Sequence, residues 1–270
     1  MRIVRFASVQ GMAFGVLDGD GNVAQIDGHP FGRIQFTGAR HAQADIRLLS
    51  PILPSKVVGI GKNYADHVAE MNTGDAPKEP LIFLKPSTSV IGPEDAIRIP
   101  RGSTNVHHEA ELGVVIGARG ARNVTPEQAL ASVFGYTIGN DVSERDMQKG
   151  DGQWARAKGF DSFCPLGPWI ETDLAGLGLD PADLAISCTV DGEPRQQGRT
   201  SQLIFGIPRL ISHVSQVMTL LPGDVILTGT PAGVGSIRPG QRVECTVEGL
   251  GTLANPVTEA EGLSTAGGTA

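Results

Sequence analysis

The sequence predicts a β-rich α+β fold. Glycine and proline are abundant, at 36 and 18 of 270 residues, which indicates many turns. Short runs rich in β-branched residues recur between those turns, as expected of strands. A clear helical spacing of apolar residues occurs in residues 208–220, and Pro208 suits the first turn of a helix. We expect that helix to pack in the core.

Composition narrows the class of protein. Hydrophobic residues make up 40% of the chain and charged residues 19%, as in soluble globular proteins. A net charge of −7 without a basic stripe argues against a nucleic-acid partner. No apolar run approaches ~18 residues and the start of the chain lacks a signal-peptide core, so we expect no membrane partner. The three cysteines form no C-x-x-C motif, which favours a reducing, cytoplasmic setting and excludes a zinc site.

Residues 1–50 predict a small N-terminal β-meander that packs on the main domain. Residues 18–22 have the composition of a hairpin turn, whereas residues 30–50 show little pattern. We find no candidate for chemistry in this segment. Three strands are expected in it, at residues 2–6, 13–17 and 23–26.

A larger domain is expected over residues 51–256, opening with an apolar strand at residues 57–61. His67 and Glu70 follow three positions apart, so on a helix the carboxylate can orient the imidazole and raise its basicity. An ordinary surface contact is the simpler alternative. Residues 72–80 predict a mobile loop, so the pair can belong to a lid that brings a base to the site on closure.

Three carboxylates predict a metal site. Glu109 and Glu111 flank Ala110 at the start of a predicted strand, where residues i and i+2 share a face about 6.5–7 Å apart. Two such carboxylates repel unless positive charge lies between them. With Asp141, at the end of another apolar strand, they make a set that suits Mg²⁺ or Mn²⁺. The alternatives are exposed carboxylates on a strand edge and, for Asp141, a helix N-cap.

Two further stretches are candidates for binding an anion. Lys158 lies among small and aromatic residues, where it would pair with a carboxylate or an enolate unless it is a solvated surface lysine. Residues 229–235 form a Gly-rich loop without the Lys-Ser/Thr of a nucleotide P-loop, which argues against ATP. The loop's N–H groups, such as that of Gly229, and the Thr230 hydroxyl can hold a small carboxylate. A tight turn is the alternative.

Two boundaries complete the prediction. Ser143 and Asp146 have the spacing of a capping box, so we expect a helix to begin directly after Asp141. Residues 257–270 are rich in small and polar residues and are expected to be a frayed tail.

Several short motifs follow one another in a specific order. They are Gly61-Lys62-Asn63-Tyr64-Ala65-Asp66-His67, Phe83-Leu84-Lys85-Pro86, His108-Glu109-Ala110-Glu111-Leu112-Gly113, Asn140-Asp141, Ala157-Lys158-Gly159-Phe160 and Leu227-Thr228-Gly229-Thr230-Pro231. In order and spacing they resemble the fumarylacetoacetate hydrolase family over roughly residues 57–250. The resemblance implies a mixed β-roll like the C-terminal domain of fumarylacetoacetase, and homodimers. The short N-terminal segment resembles the bacterial branch with a single catalytic domain, not the branch with an SH3-like domain and a fourth carboxylate ligand.

The resemblance also implies roles for individual residues. Glu109, Glu111 and Asp141 would bind Mg²⁺ or Mn²⁺, while His67 and Glu70 would form a water-activating dyad. Lys158 matches the family's catalytic lysine. The residues matched to substrate contacts, or close to them in the motifs, are Gln148, Thr230, Gly229, Tyr64 and Lys85.

The chemistry implied is that of a metal-bound enolate of a short 2-oxo acid. We favour C–C bond hydrolysis of an acylpyruvate, such as a fumarylpyruvate-like substrate, and decarboxylation of oxaloacetate, because His67 and Glu70 are both present. The alternative is a 2-hydroxyhepta-2,4-diene-1,7-dioate isomerase or 5-oxopent-3-ene-1,2,5-tricarboxylate decarboxylase of aromatic catabolism. An alternative of another class is a non-catalytic β-domain in which the carboxylates hold a structural cation.

Overall fold

The computed structural model describes residues 1–71 and 76–260. Within them the chain is β-rich with short helices, as predicted. A 12-stranded sheet forms the body, and sheets of five and three strands complete the fold. The α-helices are α1 (Ala65–Met71), α2 (Pro126–Ala129), α3 (Arg145–Gly150), α4 (Ala155–Gly159) and α5 (Ile207–Val217).

The strands of the first half of the chain include the predicted meander. They are β1 (Arg2–Ser8), β2 (Gly11–Leu17), β3 (Asn22–Ile26), β4 (Phe36–Ala42), β5 (Arg47–Leu49), β6 (Val57–Gly61), β7 (Leu81–Lys85), β8 (Val90–Ile91), β9 (Ile97–Ile99), β10 (Val106–His108), β11 (Ala110–Ile116) and β12 (Val133–Asn140). The sequence did not reveal β4 and β5, because β4 is almost wholly exposed and has no alternation of apolar residues.

The second half of the chain supplies eight more strands among the described residues. They are β13 (Ser143–Glu144), β14 (Cys164–Glu171), β15 (Ala185–Val190), β16 (Glu193–Arg199), β17 (Val225–Leu227), β18 (Gly235–Ser236), β19 (Arg242–Val247) and β20 (Gly251–Glu259). The large sheet runs β4-β3-β2-β1-β14-β12-β11-β17-β6-β7, so the N-terminal meander continues the main sheet through the β1–β14 pairing.

The register of the central strands brings several chain segments to one edge of the large sheet. Strands β11 and β12 are antiparallel with Ala110 opposite Asn140, so the start of β11 lies beside the end of β12. Strand β17 is antiparallel to β11 and parallel to β6. The segments that follow β6, β12 and β17 therefore emerge beside the start of β11, and each carries predicted site residues.

Helix α5 confirms the predicted core helix, with buried residues Ile207, Leu210, Ile211 and Val214. The helix ends at Val217, whose side chain is exposed, because the chain turns into an extended conformation at Met218. Within the ranges that the structure describes, no helix has the length and apolar character needed to cross a membrane.

Two predicted boundaries are wrong. The segment Ser143–Glu144 is strand β13, which pairs with β10, and the helix begins at Arg145 with the Glu144 carboxylate accepting the Met147 N–H at 2.6 Å. The predicted tail is paired up to Glu259, because β20 forms a parallel ladder with β9. Residues 261–270 lie outside the described residues.

Candidate active site

The three predicted carboxylates lie together. One oxygen each from Glu109, Glu111 and Asp141 falls within 4.8 Å of the others, and the residues are 3%, 2% and 1% exposed. The Asp141 N–H donates to the Glu109 carbonyl at 2.9 Å, and the Asn140 side chain accepts the Glu109 N–H at 2.9 Å. The start of β11 is thereby fixed to the end of β12. This burial rules out exposed carboxylates on a strand edge, and Asp141 does not cap a helix.

Three cationic side chains surround the cluster. The Lys158 ammonium lies 2.7 Å from an oxygen of Glu109 and 2.7 Å from an oxygen of Asp141. Lys85 Nζ lies 2.6 Å from the other Asp141 oxygen, and Arg145 Nη2 lies 2.5 Å from the other Glu109 oxygen. The positive charge expected between the carboxylates is therefore supplied in part by the protein itself, and Lys158 is no solvated surface lysine.

The ionisation of the cluster is uneven. Burial opposes ionisation of Glu109, but the Lys158 and Arg145 charges hold its pKa well below the ordinary value. Burial and the neighbouring Asp141 and Glu109 carboxylates raise the pKa of Glu111 well above its ordinary value. Although burial favours neutral Lys158, Asp141 and Glu109 raise its pKa. Glu111 is thus the carboxylate that the protein's own cations compensate least.

The donor set fits a divalent cation. The three ligand candidates offer oxygen atoms alone, as hard cations prefer. A divalent cation among them would favour the ionised form of Glu111, which the protein leaves beside two other carboxylates. In this structure the Glu111 carboxylate accepts the Gly229 N–H at 2.6 Å. Glu109, Glu111 and Asp141 are therefore the residues that would hold such an ion.

The Gly-rich loop contacts the cluster directly. Gly229 has a φ of +104°, and a Cβ there would lie 2.8 Å from Asn63, so glycine is needed where its N–H meets Glu111. The Thr230 hydroxyl donates to the Ala110 carbonyl at 2.8 Å and accepts from the Gln196 amide at 2.6 Å. The loop is therefore part of the site, but the Thr230 hydroxyl proton is already used within the protein.

The predicted dyad lies on helix α1. His67 Nδ1 is 3.5 Å from a Glu70 oxygen, and the Glu70 carboxylate accepts the Gly233 N–H at 3.0 and 3.1 Å. Burial is the main effect and lowers the pKa of His67. Glu109 and Glu70 raise it, while Arg145 and Lys158 lower it further, and the net shift is downward. His67 is therefore neutral at pH 7 and is electrostatically coupled to the cluster. Residues 72–75 of the predicted mobile loop lie outside the described residues.

The other predicted contacts occupy different positions. The Tyr64 hydroxyl has no hydrogen-bond partner among the described residues, and burial together with Glu111 raises its pKa. The Gln148 side chain accepts from Arg145 at 2.8 Å. Lys85 is fully buried against Asp141, so in this structure it neutralises the cluster. Among the predicted contacts, Tyr64 is thus the one with a buried polar atom that has no partner in the described part of the chain.

Sequence reasoning did not select Arg145 and Gln196. Arg145 is 8% exposed, and its Nε has no partner within the described part of the chain. It follows Glu144 in a charged stretch typical of a helix surface, so nothing local marked it as buried. Gln196 adjoins the exposed Gln197 in a polar strand, and again only the fold distinguishes the two. In the sequence, the nearest indication of a functional role for Arg145 was the Asn140-Asp141 motif four residues before it.

Profiles of known protein families match almost the whole chain. The profile of the fumarylacetoacetate (FAA) hydrolase C-terminal domain matches residues 56–258, and a profile named Rv2993c-like, N-terminal, matches residues 1–51. Protein Rv2993c of Mycobacterium tuberculosis is 54% identical over 263 residues, which cover 95% of this chain and 98% of the relative.

Two further similarities concern proteins named for an activity. The crystal structure of 5-carboxymethyl-2-hydroxymuconate delta-isomerase from Mycobacterium smegmatis superimposes with a TM-score of 0.89 at 53% identity, covering 96% of this chain and all of that one. The mitochondrial oxaloacetate tautomerase fahd2 of Xenopus laevis is 46% identical over 226 residues, which cover 80% of this chain and 70% of the relative. With the profile match over most of its length, the chain belongs to the fumarylacetoacetate hydrolase family, whose members are enzymes.

Proposed function

We propose that the chain is a divalent-metal-dependent enzyme that acts on a short 2-oxo acid through its enolate. The observation that carries this proposal is the buried cluster of Glu109, Glu111 and Asp141, bridged by Lys158. A bound Mg²⁺ or Mn²⁺ would supply positive charge for the oxygen atoms of the substrate and of its enolate. The protein adds the ammonium group of Lys158, which already lies against Glu109 and Asp141.

Charge balance favours a dianionic substrate. The carboxylates Glu109, Glu111 and Asp141, when ionised, match the positive charges of the three cationic side chains described above. A divalent ion would then leave the buried site with two uncompensated positive charges, which are costly in a low-dielectric interior. A 2-oxo dicarboxylate, or the enolate form of a 2-oxo monocarboxylate, neutralises them.

The chain's own residues have distinct roles in this proposal. Arg145 has a buried Nε without a partner, so its guanidinium can donate to a substrate carboxylate. Lys158 stabilises the oxyanion that forms at C2. His67 is neutral and coupled to the cluster, so it can accept a proton from the substrate or from water. The unpartnered Tyr64 hydroxyl is a candidate donor to a bound oxygen atom.

We rank proton transfer first among the reactions. In tautomerisation, His67 takes the proton of the C2 enol, Lys158 holds the resulting enolate, and His67 returns the proton to C3 to give the 2-oxo acid. Double-bond isomerisation uses the same enolate, but the proton is added to a carbon atom of the substrate further from C2. The names of the M. smegmatis delta-isomerase and the X. laevis oxaloacetate tautomerase support this ranking.

C–C bond cleavage is the second candidate. The contact of His67 with Glu70 favours it, because hydrolysis of an acylpyruvate needs a base to activate water. Decarboxylation of oxaloacetate needs no such base and requires only stabilisation of the enolate. A purely structural cation site is less consistent with a buried, neutral histidine beside the carboxylates.

A substrate panel tests the proposal. The metal-free protein, with and without added Mg²⁺ or Mn²⁺, is assayed for enol–keto conversion of oxaloacetate, isomerisation of 2-hydroxyhepta-2,4-diene-1,7-dioate, and pyruvate release from an acylpyruvate and from oxaloacetate. We expect metal-dependent turnover in at least one assay, with loss of that turnover in Glu111→Gln. Full activity in EDTA, or no turnover of any of the four reactions, would contradict the proposal.

A further inference from the structure

We infer that Gln196 is a positioning residue that holds the Gly-rich loop, residues 229–235, against strand β11, which carries Glu111. Through that loop it sets the position of Glu111. The effect on metal binding rests on the proposed role of Glu111 as a ligand, whereas the attachment of the loop does not depend on that role.

A β-bulge directs the Gln196 side chain inward. Strands β15 and β16 pair Cys188 with Gln196 but Thr189 with Pro194, so β16 contains one extra residue, Arg195. Bulges of this kind re-aim a side chain and are common beside active sites. Gln196 is 2% exposed, whereas Arg195 and Gln197 on either side are exposed.

The buried amide uses its full hydrogen-bonding capacity. Its oxygen accepts the Ala110 N–H at 3.0 Å and lies 3.0 Å from His108 Nδ1. Its nitrogen donates to the Thr230 hydroxyl at 2.6 Å and to the Pro231 carbonyl at 2.8 Å. The Ala110 N–H can only donate, so the oxygen must face Ala110, and His108 Nδ1 must carry a hydrogen. One side chain therefore joins two segments of the site.

One of the two joined segments carries Glu111, and the other contacts its carboxylate. Ala110 lies between the carboxylates Glu109 and Glu111, and Thr230 follows Gly229, whose N–H holds the Glu111 carboxylate at 2.6 Å. A loose loop would release that contact. Residues that orient a metal ligand in this way typically change metal affinity or activity by about 10–100-fold when mutated.

The same loop also reaches the dyad. Gly233 donates its N–H to Glu70, and a Cβ on Gly233 would lie 2.0 Å from the Arg195 carbonyl, so the bulge packs directly against the loop. By fixing the loop, the hydrogen bonds of Gln196 therefore support both of its contacts, the one with Glu111 and the one with Glu70.

Two variants of Gln196 distinguish the effect of its hydrogen bonds from the effect of its side-chain packing. Gln196→Met keeps a side chain of similar length and removes all four hydrogen bonds. Gln196→Glu keeps an acceptor for Ala110 and His108 but places a second oxygen against the Thr230 hydroxyl and the Pro231 carbonyl. Gln197→Met, one residue further along the same strand and exposed, is the matched control.

The first test is hydrogen–deuterium exchange of the metal-free proteins, read by mass spectrometry on peptides that cover residues 229–235. Because Gln196→Met loses both hydrogen bonds to the loop, we expect exchange at least about tenfold faster in this variant, and no change in Gln197→Met. If Gln196→Met does not fold, Gln196→Glu serves in its place. Unchanged exchange in the folded variant would overturn the inference.

The second test is calorimetric titration with Mn²⁺. We expect Gln196→Met to bind the ion about 10–100-fold more weakly than wild type and Gln197→Met to bind it equally well. Equal affinity in Gln196→Met would overturn the inferred effect on Glu111. A wild-type protein that binds no Mn²⁺ would overturn the proposed function, and the exchange measurement would then decide the role of Gln196 alone.

Discussion

The carboxylate cluster and the His67–Glu70 dyad belong to one site but are built differently. In the cluster, Lys158, Lys85 and Arg145 contact carboxylate oxygens at 2.5–2.7 Å, and all of these groups are buried. In the dyad, the imidazole lies 3.5 Å from a carboxylate whose side chain is 35% exposed. The dyad lies on a seven-residue helix, whereas the cluster lies where the start of β11 meets the end of β12 in the large sheet.

The difference indicates which part of the site has to be rigid for the reaction. Charges that stabilise an enolate act best when they are preorganised in a buried site, because no reorganisation is then needed during the reaction. A base only has to reach the proton that it transfers, and its hydrogen bonds often tighten once substrate is bound. We therefore expect changes in the cluster to affect both stability and every reaction, and changes in the dyad to affect proton transfer alone.

The largest expected effect is that of Lys158→Ala. Removing this cation leaves the buried Glu109 and Asp141 carboxylates without a shared partner, which typically costs about 3–5 kcal/mol of stability. We also expect kcat/KM to fall for every substrate that is turned over. Urea unfolding and steady-state kinetics measure the two effects. Lys149→Ala, at an exposed position, is the control, and equal results for the two variants would contradict a role for Lys158.

His67→Ala is expected to separate the reactions. Loss of a general base lowers tautomerisation, isomerisation and acylpyruvate hydrolysis by about 10²–10⁴-fold. Oxaloacetate decarboxylation should fall much less, because the cluster still stabilises the enolate. Asp66→Ala, exposed on the same helix, is the control for both rates. An equal loss of decarboxylation in His67→Ala would show that His67 supports the whole site and does not act only as a base.

Removal and return of the metal should have an intermediate effect. The three cations keep the metal-free cluster compensated, so we expect the chelated protein to remain folded. Mn²⁺ at a hundred times its Kd should then stabilise it by about 2.7 kcal/mol, measured as a rise in Tm. Glu111→Gln should abolish the rise, whereas Glu127→Gln, at an exposed position, should keep it. A Tm that does not respond in wild type would refute the site.

The smallest effect concerns pH. Burial lowers the pKa of His67, so the active, neutral form is lost only as pH falls below about 6.5, and the acid limb of kcat/KM should lie under that value. Glu70 opposes this shift by raising the pKa. Glu70→Gln should therefore move the acid limb to lower pH and reduce kcat/KM by at most about tenfold. Glu79→Gln, at an exposed position, should leave the profile unchanged.

The sequence predicted more of the strands than of the side-chain contacts. The apolar runs that became β6, β11, β12 and β17 are short, β-branched and bounded by turn residues, so local pattern was sufficient. Strand β4 carries no such pattern and was missed. The helix start at Ser143 was wrong because the residues paired with β10 instead, a tertiary contact that no local propensity encodes.

The sequence alone determined which residue types were available for chemistry, namely carboxylates beside strand ends, a lysine among aromatic residues and a histidine near a glutamate. Burial and proximity were decided only by the tertiary structure. It directed Lys85 and Lys158 to Asp141, and it brought Arg145 to Glu109 and Gln196 to Thr230. These contacts join residues 17 to 56 positions apart in the chain. The physical reason is that strand register and a bulge aim side chains across the fold, and neither is written in the spacing of nearby residues.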